Sequence, residues 1–132
     1  MTKEKLFEHY SLRQELAKSR ETLQSLQEMN DTACGLPEFF ALEKNALISS
    51  IEARERKIAE QQKEVEAFIA GIEPITVRLI FRLRFIHALQ WKEVAYMMGG
   101  TYSAQSVTNA FKLYMKKTES EEKAADGDTS AT

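Results

Sequence analysis

The first part of the chain repeats apolar residues at the spacing of paired helices. Residues 3–29 contain neither glycine nor proline, and apolar positions alternate at intervals of four and three. This seam consists of Leu12, Leu16, Ser19, Leu23 and Leu26. Such spacing places side chains along one side of a helix, as in a coiled coil. We therefore predict one long helix over residues 3–29.

A second long helix is predicted over residues 37–70. Pro37 fits its first turn, where the missing backbone N–H costs nothing. Four residues recur at intervals of seven: Ile51, Ile58, Val65 and Ile72. Leu47 and Phe68/Ile69 fall at the complementary spacing. The intermediate seam positions are polar, so the packing is either locally polar or shared with another chain; they are Arg54/Glu55 and Gln61/Gln62.

A loop of only about six residues joins these two predicted helices. A short connection favours an antiparallel pair, so residues 1–72 are predicted to form a coiled-coil helical hairpin. The alternative is pairing between chains, which would make the protein a homo-oligomer through its coiled coil.

Gly71 and Pro74 mark the predicted boundary between this hairpin and a second domain, residues 73–117. Residues 75–87 are apolar on most sides of a helix, which predicts a central, buried helix. A short helix from Gln90 or Trp91 to Met98 follows.

Gly99 to Tyr102 is predicted to form a turn, and Ser103 is a good N-cap for a last helix running to about Lys117. The three helices have the pattern of a helix-turn-helix. The sequence therefore predicts an all-α protein, with the hairpin first and the three-helix domain second.

The short helix supplies the expected support of this motif. We expect Val94, Met97 and Met98 to face inward, and Ala95 to allow the close approach of two helices. Trp91 is expected to pack in the core. For Arg84 we favour a structural role, as an ion pair with Glu93.

The last predicted helix has two distinct faces. Its apolar stripe consists of Val107, Ala110, Phe111 and Tyr114. The opposite face carries amides near the helix start and lysines further along, an arrangement that suits a helix entering the major groove of DNA. We predict base contacts by Gln105, Ser106, Thr108 and Asn109, and phosphate contacts by Lys112, Lys116, Arg78 and Arg82. The alternative is an ordinary amphipathic helix with a polar outside.

The net charge of the whole chain does not indicate a nucleic-acid partner, but the net charge of one segment does. The whole chain has a formal net charge of −2. Residues 74–117 carry seven basic residues against Glu93 alone, a net charge of +6, while the segments on either side are each −4. A basic segment of this kind predicts binding to a polyanion such as double-stranded DNA. Residues 118–132 contain no large apolar residue and are predicted to be a disordered acidic tail.

Composition argues against most other classes of function. Five glycines and two prolines in 132 residues are too few for a turn-rich β fold. His9, His87 and Cys34 have no partners at metal-ligand spacing, so no metal or cofactor is expected. No catalytic motif is present, and we expect no enzyme. The absence of a long apolar run and of a disulfide pair predicts a cytoplasmic protein with no membrane association.

One stretch of about 40 residues resembles region 4 of the sigma-70 family. The matching residues are Leu83, Arg84, Phe85, Glu93, Val94, Ala95, Met98, Gly99, Ser103 and Val107. With Trp91, the Tyr102–Ser103 pair and the preceding helices, the chain resembles more closely a phage-encoded sigma region 4-like family of unknown function, related to ArpU/RinA-type late transcription regulators. Between Ala95 and Val107 it carries two residues more than the usual sigma spacing.

This resemblance implies a phage or prophage transcriptional regulator that binds DNA. Two other functions stay open from the sequence. Small terminases, which recognise DNA for packaging, also join a helix-turn-helix to coiled-coil helices. Region 4 domains also dock on RNA polymerase, so the alternative is that this chain binds polymerase and makes little DNA contact of its own.

Overall fold

A computed structural model describes residues 1–32 and 37–130, with the side chains of these ranges except residues 30–32, 37, 39 and 123–130. The helices are α1 (Lys3–Thr32), α2 (Pro37–Ala70), α3 (Ile75–Phe81), α4 (Trp91–Met98) and α5 (Ala104–Ser130), with a π-helical turn at Arg82–Ile86. No strand occurs in these ranges, which confirms the all-α prediction. Cys34 and most of the predicted loop between the two long helices, residues 33–36, lie outside the described residues.

The chain divides into two compact units whose boundary crosses α1 and α2. The head unit comprises Met1–Glu8 and Glu64–Thr132, and the paired-helix unit comprises His9–Lys63. The expected boundary lay at Gly71 and Pro74. It differs because the first turns of α1 and the last turns of α2 contribute core residues to the head unit, among them Leu6 and Ile69, both fully buried.

In the paired-helix unit, α1 and α2 pack antiparallel. Polar contacts join His9 to Gln61 and Arg20 to Glu55, so residue numbers rise along one helix as they fall along the other. The buried apolar cluster consists of Leu16, Ile51 and Ile58, with Leu12, Leu23 and Leu47 packed against it. These are positions of the predicted seam.

The polar seam positions have partners within the same chain. Arg54 donates from Nη1 to the Ser19 and Ser50 hydroxyls at 2.9 and 2.8 Å, and from Nε to Glu15 at 3.3 Å. Fully buried His9 contacts Gln61 Oε1 at 3.0 Å through Nδ1, and its Nε2 accepts from Arg13 Nε at 2.8 Å. Within this chain the seam is therefore locally polar, and pairing with another chain stays a prediction.

The core of the head unit is a continuous cluster of aromatic rings. Phe81 lies 5.8 Å from Phe85 and 5.3 Å from Phe111, measured between ring centroids. Phe7 of α1 lies 5.6 Å from Phe111, and Phe68 of α2 lies 6.1 Å from Phe81. Edge-to-face and tilted pairs at such distances add stability beyond the burial of their area. The cluster therefore joins α1, α2 and α5 to α3 and the π-helical turn.

The central apolar segment ends its regular helix earlier than predicted. After Phe81 the backbone passes into the π-helical turn, in which the N–H of His87 bonds to the carbonyl of Arg82. Such turns insert one extra residue and rotate the side chains that follow. Ile75 and Leu79 on α3 are 71% and 42% exposed, so the segment is not buried on every side.

Helix α5 continues well past Lys117, where we expected it to end and a disordered tail to begin. It runs to Ser130. Once a helix is formed, each added residue gains a hydrogen bond, and alanine, glutamate and lysine favour this continuation. The predicted tail therefore has helical backbone as far as Ser130.

Candidate nucleic-acid interface

Local chemistry fixes where α4 ends and α5 begins. Gly99 and Gly100 have φ angles of +74° and +63°, a left-handed backbone that glycine adopts without strain. Ser103 then caps α5 as predicted, because its hydroxyl accepts the Ser106 N–H at 3.1 Å. The Ser106 hydroxyl accepts the Ser103 N–H at 2.8 Å in return. This reciprocal pair sets the first turn of α5.

A buried stripe holds α5 in one rotational position. Val107, Phe111 and Met115 are each at most 2% exposed, and Ala110 and Tyr114 are half-buried beside them. The predicted apolar stripe therefore faces the core. Met115 is a core residue that the sequence reasoning missed, although its spacing of four from Phe111 could have indicated it.

The opposite side of α5 is a row of exposed polar residues, which we call the polar face. It consists of Gln105, Asn109, Lys112 and Lys116, at spacings of four, three and four. All four side chains are exposed. This spacing aligns them along one side of the helix. The polar face therefore presents two amides at the helix start and two ammonium groups further along.

Two other predicted base-contact residues use their hydroxyls inside the helix. Ser106 also donates to the Ser103 carbonyl at 2.9 Å, so it serves the cap as both donor and acceptor. Thr108 donates to the Ala104 carbonyl at 2.6 Å and is half-buried. These bonds leave Gln105 and Asn109 as the better-placed donors and acceptors for an external ligand.

The two predicted phosphate-binding arginines do not belong to α5. Arg78 lies on α3, and Arg82 begins the π-helical turn; both are half-buried. Arg78 and Arg82 share a helix side with the exposed Ile75 and Leu79, which lie at intervals of three and four from them. The arginines therefore stand in a mixed apolar and basic row and not in a purely polar one.

Helix α4 supports α5 with fewer residues than expected. Val94 and Ala95 are buried, and Met98 packs against the same cluster as Val107. Met97 is 61% exposed, so the prediction that it faces inward is wrong. Met97 lies one helical step from Met98 and faces outward, next to Tyr96, which is 84% exposed.

Arg84 serves the fold, but through different contacts from the expected ion pair. Its Nη1 donates to the Leu89 carbonyl at 2.9 Å, and its guanidinium lies 4.4 Å from the centre of the Trp91 ring. Glu93 instead accepts the backbone N–H of Gln90 at 3.1 Å and caps α4. Trp91 is half-buried and packs against Phe85 and Phe111 at the edge of the core.

The part of the chain that the structure describes has no group of three or more His, Cys, Asp or Glu side chains that could hold a metal ion. None of its helices combines the length and apolar character needed to cross a membrane. Compared with family models, curated proteins and solved structures, the chain gives no significant match. The resemblance to sigma region 4 therefore stays a prediction.

Proposed function

We propose that this chain is a sequence-specific DNA-binding transcriptional regulator in which α4 and α5 form a helix-turn-helix and α5 enters the major groove. The observation that carries the proposal is the polar face, four exposed residues in line on a helix whose other side is locked into the core. A helix held this rigidly presents its outer side chains in a fixed register, which base recognition requires.

The polar face divides the work along its length. Gln105 and Asn109 are exposed amides at the start of α5, where a recognition helix meets base edges, and each can form two hydrogen bonds with adenine. Lys112 and Lys116 follow on the same side and would contact phosphates, which position the protein without reading sequence. The net charge of +6 over residues 74–117 supports attraction to DNA.

The phosphate assignment is tested by the salt dependence of binding. DNA sites would first be selected from a randomised duplex library, and binding to a selected duplex measured by fluorescence anisotropy at several salt concentrations. The double variant Lys112→Ala/Lys116→Ala should weaken binding to all sequences and lower the slope of log K against log salt by about 2. The control pair Lys18→Ala/Lys63→Ala, on the paired-helix unit, should leave it unchanged. Equal slopes in both would contradict the phosphate contacts.

The base contacts require a different readout. Gln105→Ala and Asn109→Ala should each reduce the preference for the selected duplex over a scrambled one by about 1–3 kcal/mol and leave the salt slope nearly unchanged. An unchanged preference would show that α5 does not read bases through these amides.

One observation favours a second candidate function, docking on RNA polymerase. Leu89, Tyr96 and Met97 line a shallow apolar depression on the outer side of α4, with Lys92 and Glu93 at its edge. Such a patch is typical of a protein interface. Capture of purified polymerase without DNA, lost in Tyr96→Ala/Met97→Ala, would support docking. Failure to capture polymerase would contradict docking and would leave DNA binding as the one proposed function.

A further inference from the structure

The exposed apolar residues are distributed unequally between the two units. Among the described side chains of the paired-helix unit, only Met29 and Leu42 are large, apolar and exposed. The head unit exposes more of them: Phe7, Ile75, Leu79, Tyr96, Met97, Tyr102 and Leu113. Among the described side chains, exposed apolar surface is therefore concentrated on the head unit, whereas the sequence offered the coiled coil as the alternative site of self-association.

Two features of the head unit differ in charge. The first, which we call the basic stripe, consists of Ile75, Arg78, Leu79 and Arg82 at spacings of three, one and three, and it contains no acidic residue. The second, the acidic groove, is a cavity of about 690 Å³ between the start of α3 and α5. Pro74, Val77, Leu113 and Tyr114 give it an apolar lining, and its charged residues are Glu73, Glu121 and Lys117.

The two features have complementary properties. The stripe offers two protruding aliphatic side chains flanked by guanidinium groups, and Ile75 is 71% exposed. The groove offers an apolar lining in which Leu113 is 69% exposed, and its two carboxylates outnumber its single ammonium group. Arginine pairs well with carboxylates at the edge of an apolar contact.

We propose that two copies of this chain associate through their head units, with the basic stripe of each copy packed in the acidic groove of the other. In this proposal a two-fold axis relates the two copies, so that each contact is made twice and the assembly closes as a dimer. Ile75 and Leu79 fill the groove against Leu113, and Arg78 faces the carboxylates. The proposal goes beyond DNA binding and does not depend on it, and it assigns Arg78 and Arg82 to a protein interface instead of to phosphate.

The test measures the mass of the full chain in solution without DNA. Sedimentation velocity gives this mass at a series of increasing protein concentrations. We expect a monomer–dimer equilibrium. Leu79→Glu and Leu113→Glu should each weaken it at least tenfold, roughly the effect of disrupting an interface hot spot. Both positions are exposed in the single chain, so each variant should keep the circular dichroism spectrum of the native chain.

Matched controls separate this interface from others. Leu42→Glu changes a leucine of the paired-helix unit that is about as exposed as Leu113, and Met97→Glu changes the apolar patch on α4. Both should leave the mass unchanged. Arg78→Glu and Glu121→Arg should each weaken the dimer, and the two together should restore most of it.

The proposal is overturned by a chain that stays monomeric at every concentration, or by a dimer that Leu79→Glu and Leu113→Glu leave intact. It is also overturned if only Leu42→Glu dissociates the dimer, because association then runs through the paired helices. None of these outcomes bears on DNA binding, which the anisotropy titrations measure separately.

Discussion

The paired-helix unit and the head unit are stabilised by different kinds of contact. In the first, a thin aliphatic cluster around Leu16 and Ile51 alternates with polar groups such as Arg54, whose hydrogen bonds fix which residues face each other. In the second, aromatic rings from α1, α2, α3 and α5 interlock. Polar contacts determine which residues of two helices face each other, but each adds little net free energy of folding. Buried aromatic rings stabilise a fold mainly through the apolar area that they bury.

The candidate interface lies on the unit that contains the aromatic core. Phe111 packs in the aromatic core and Val107 in the adjoining aliphatic cluster, on the side of α5 opposite the polar face. The paired helices add a specified register and few exposed apolar residues. We therefore expect the two units to respond differently to substitution, and the predictions below run from the largest effect to the smallest.

The largest effect should come from removing the helices that complete the head unit. A fragment of residues 73–132 has the whole predicted second domain but lacks Leu6, Phe7, Phe68 and Ile69. We expect that its unfolding in urea, monitored by circular dichroism, is not cooperative. The reason is that its aromatic core lacks the rings and aliphatic side chains that α1 and α2 contribute. Cooperative unfolding like that of the full chain would mean that the three helices form an independent domain.

Truncation of a single core ring should have the next largest effect. Phe81→Ala should lower the free energy of unfolding by about 3–5 kcal/mol, because it leaves a cavity among closely packed rings. Ile58→Ala is the counterpart in the paired-helix unit, where about 2–4 kcal/mol is expected.

Urea titrations followed both by Trp91 fluorescence and by circular dichroism would measure these two variants. The single tryptophan reports the head unit, whereas the dichroism reports both units. Tyr96→Ala, at a side chain 84% exposed, is the control and should change stability by no more than about 0.5 kcal/mol. If Ile58→Ala moved only the dichroism and not the fluorescence, the units would unfold separately.

Removing the central polar contact of the paired helices should have a moderate effect. Arg54→Ala should cost about 1–2 kcal/mol, since it removes bonds to Ser19, Ser50 and Glu15 in a partly buried position. Arg56→Ala, at an exposed arginine two residues away, is the matched control in the same urea titration. Equal stability of the two variants would contradict a specific role for Arg54.

The smallest effect is expected at the cap of α5. Ser103→Ala should lower the free energy of unfolding by about 1 kcal/mol, because the N–H of Ser106 loses its acceptor. Ser120→Ala, at an exposed position within α5, should be neutral or slightly stabilising, as alanine favours helix interiors. A loss equal to or below that of the control would argue against the cap.

Much of the local structure could be predicted from the chain alone. The bounds of α2 and α4, the turn at Gly99 and Gly100, and the Ser103 cap all agree with the structure, because each depends on residues within a few positions of one another. The two faces of α5 follow from the same local periodicity. The sequence therefore predicted which positions of α5 form its exposed polar face, and the binding of DNA by that face stays a proposal.

Other features could not be predicted because they depend on contacts between residues far apart in sequence. Local periodicity does not show that Phe7 lies against Phe111, so it does not indicate that the two units divide within α1 and α2. It also does not distinguish Met97 from Met98, which differ by one helical step and face opposite environments.

The sequence by itself determined the helices, their caps and the sides on which they are apolar, since backbone hydrogen bonding and helical spacing are local. Only the tertiary structure decided which apolar sides meet. In it, the start of α1 and the end of α2 pack in the aromatic core. Arg84 contacts Leu89 and Trp91, and Ile75, Leu79 and Leu113 are exposed. Hydrophobic attraction has no direction of its own, so the choice among apolar partners depends on how the shapes of distant segments fit together.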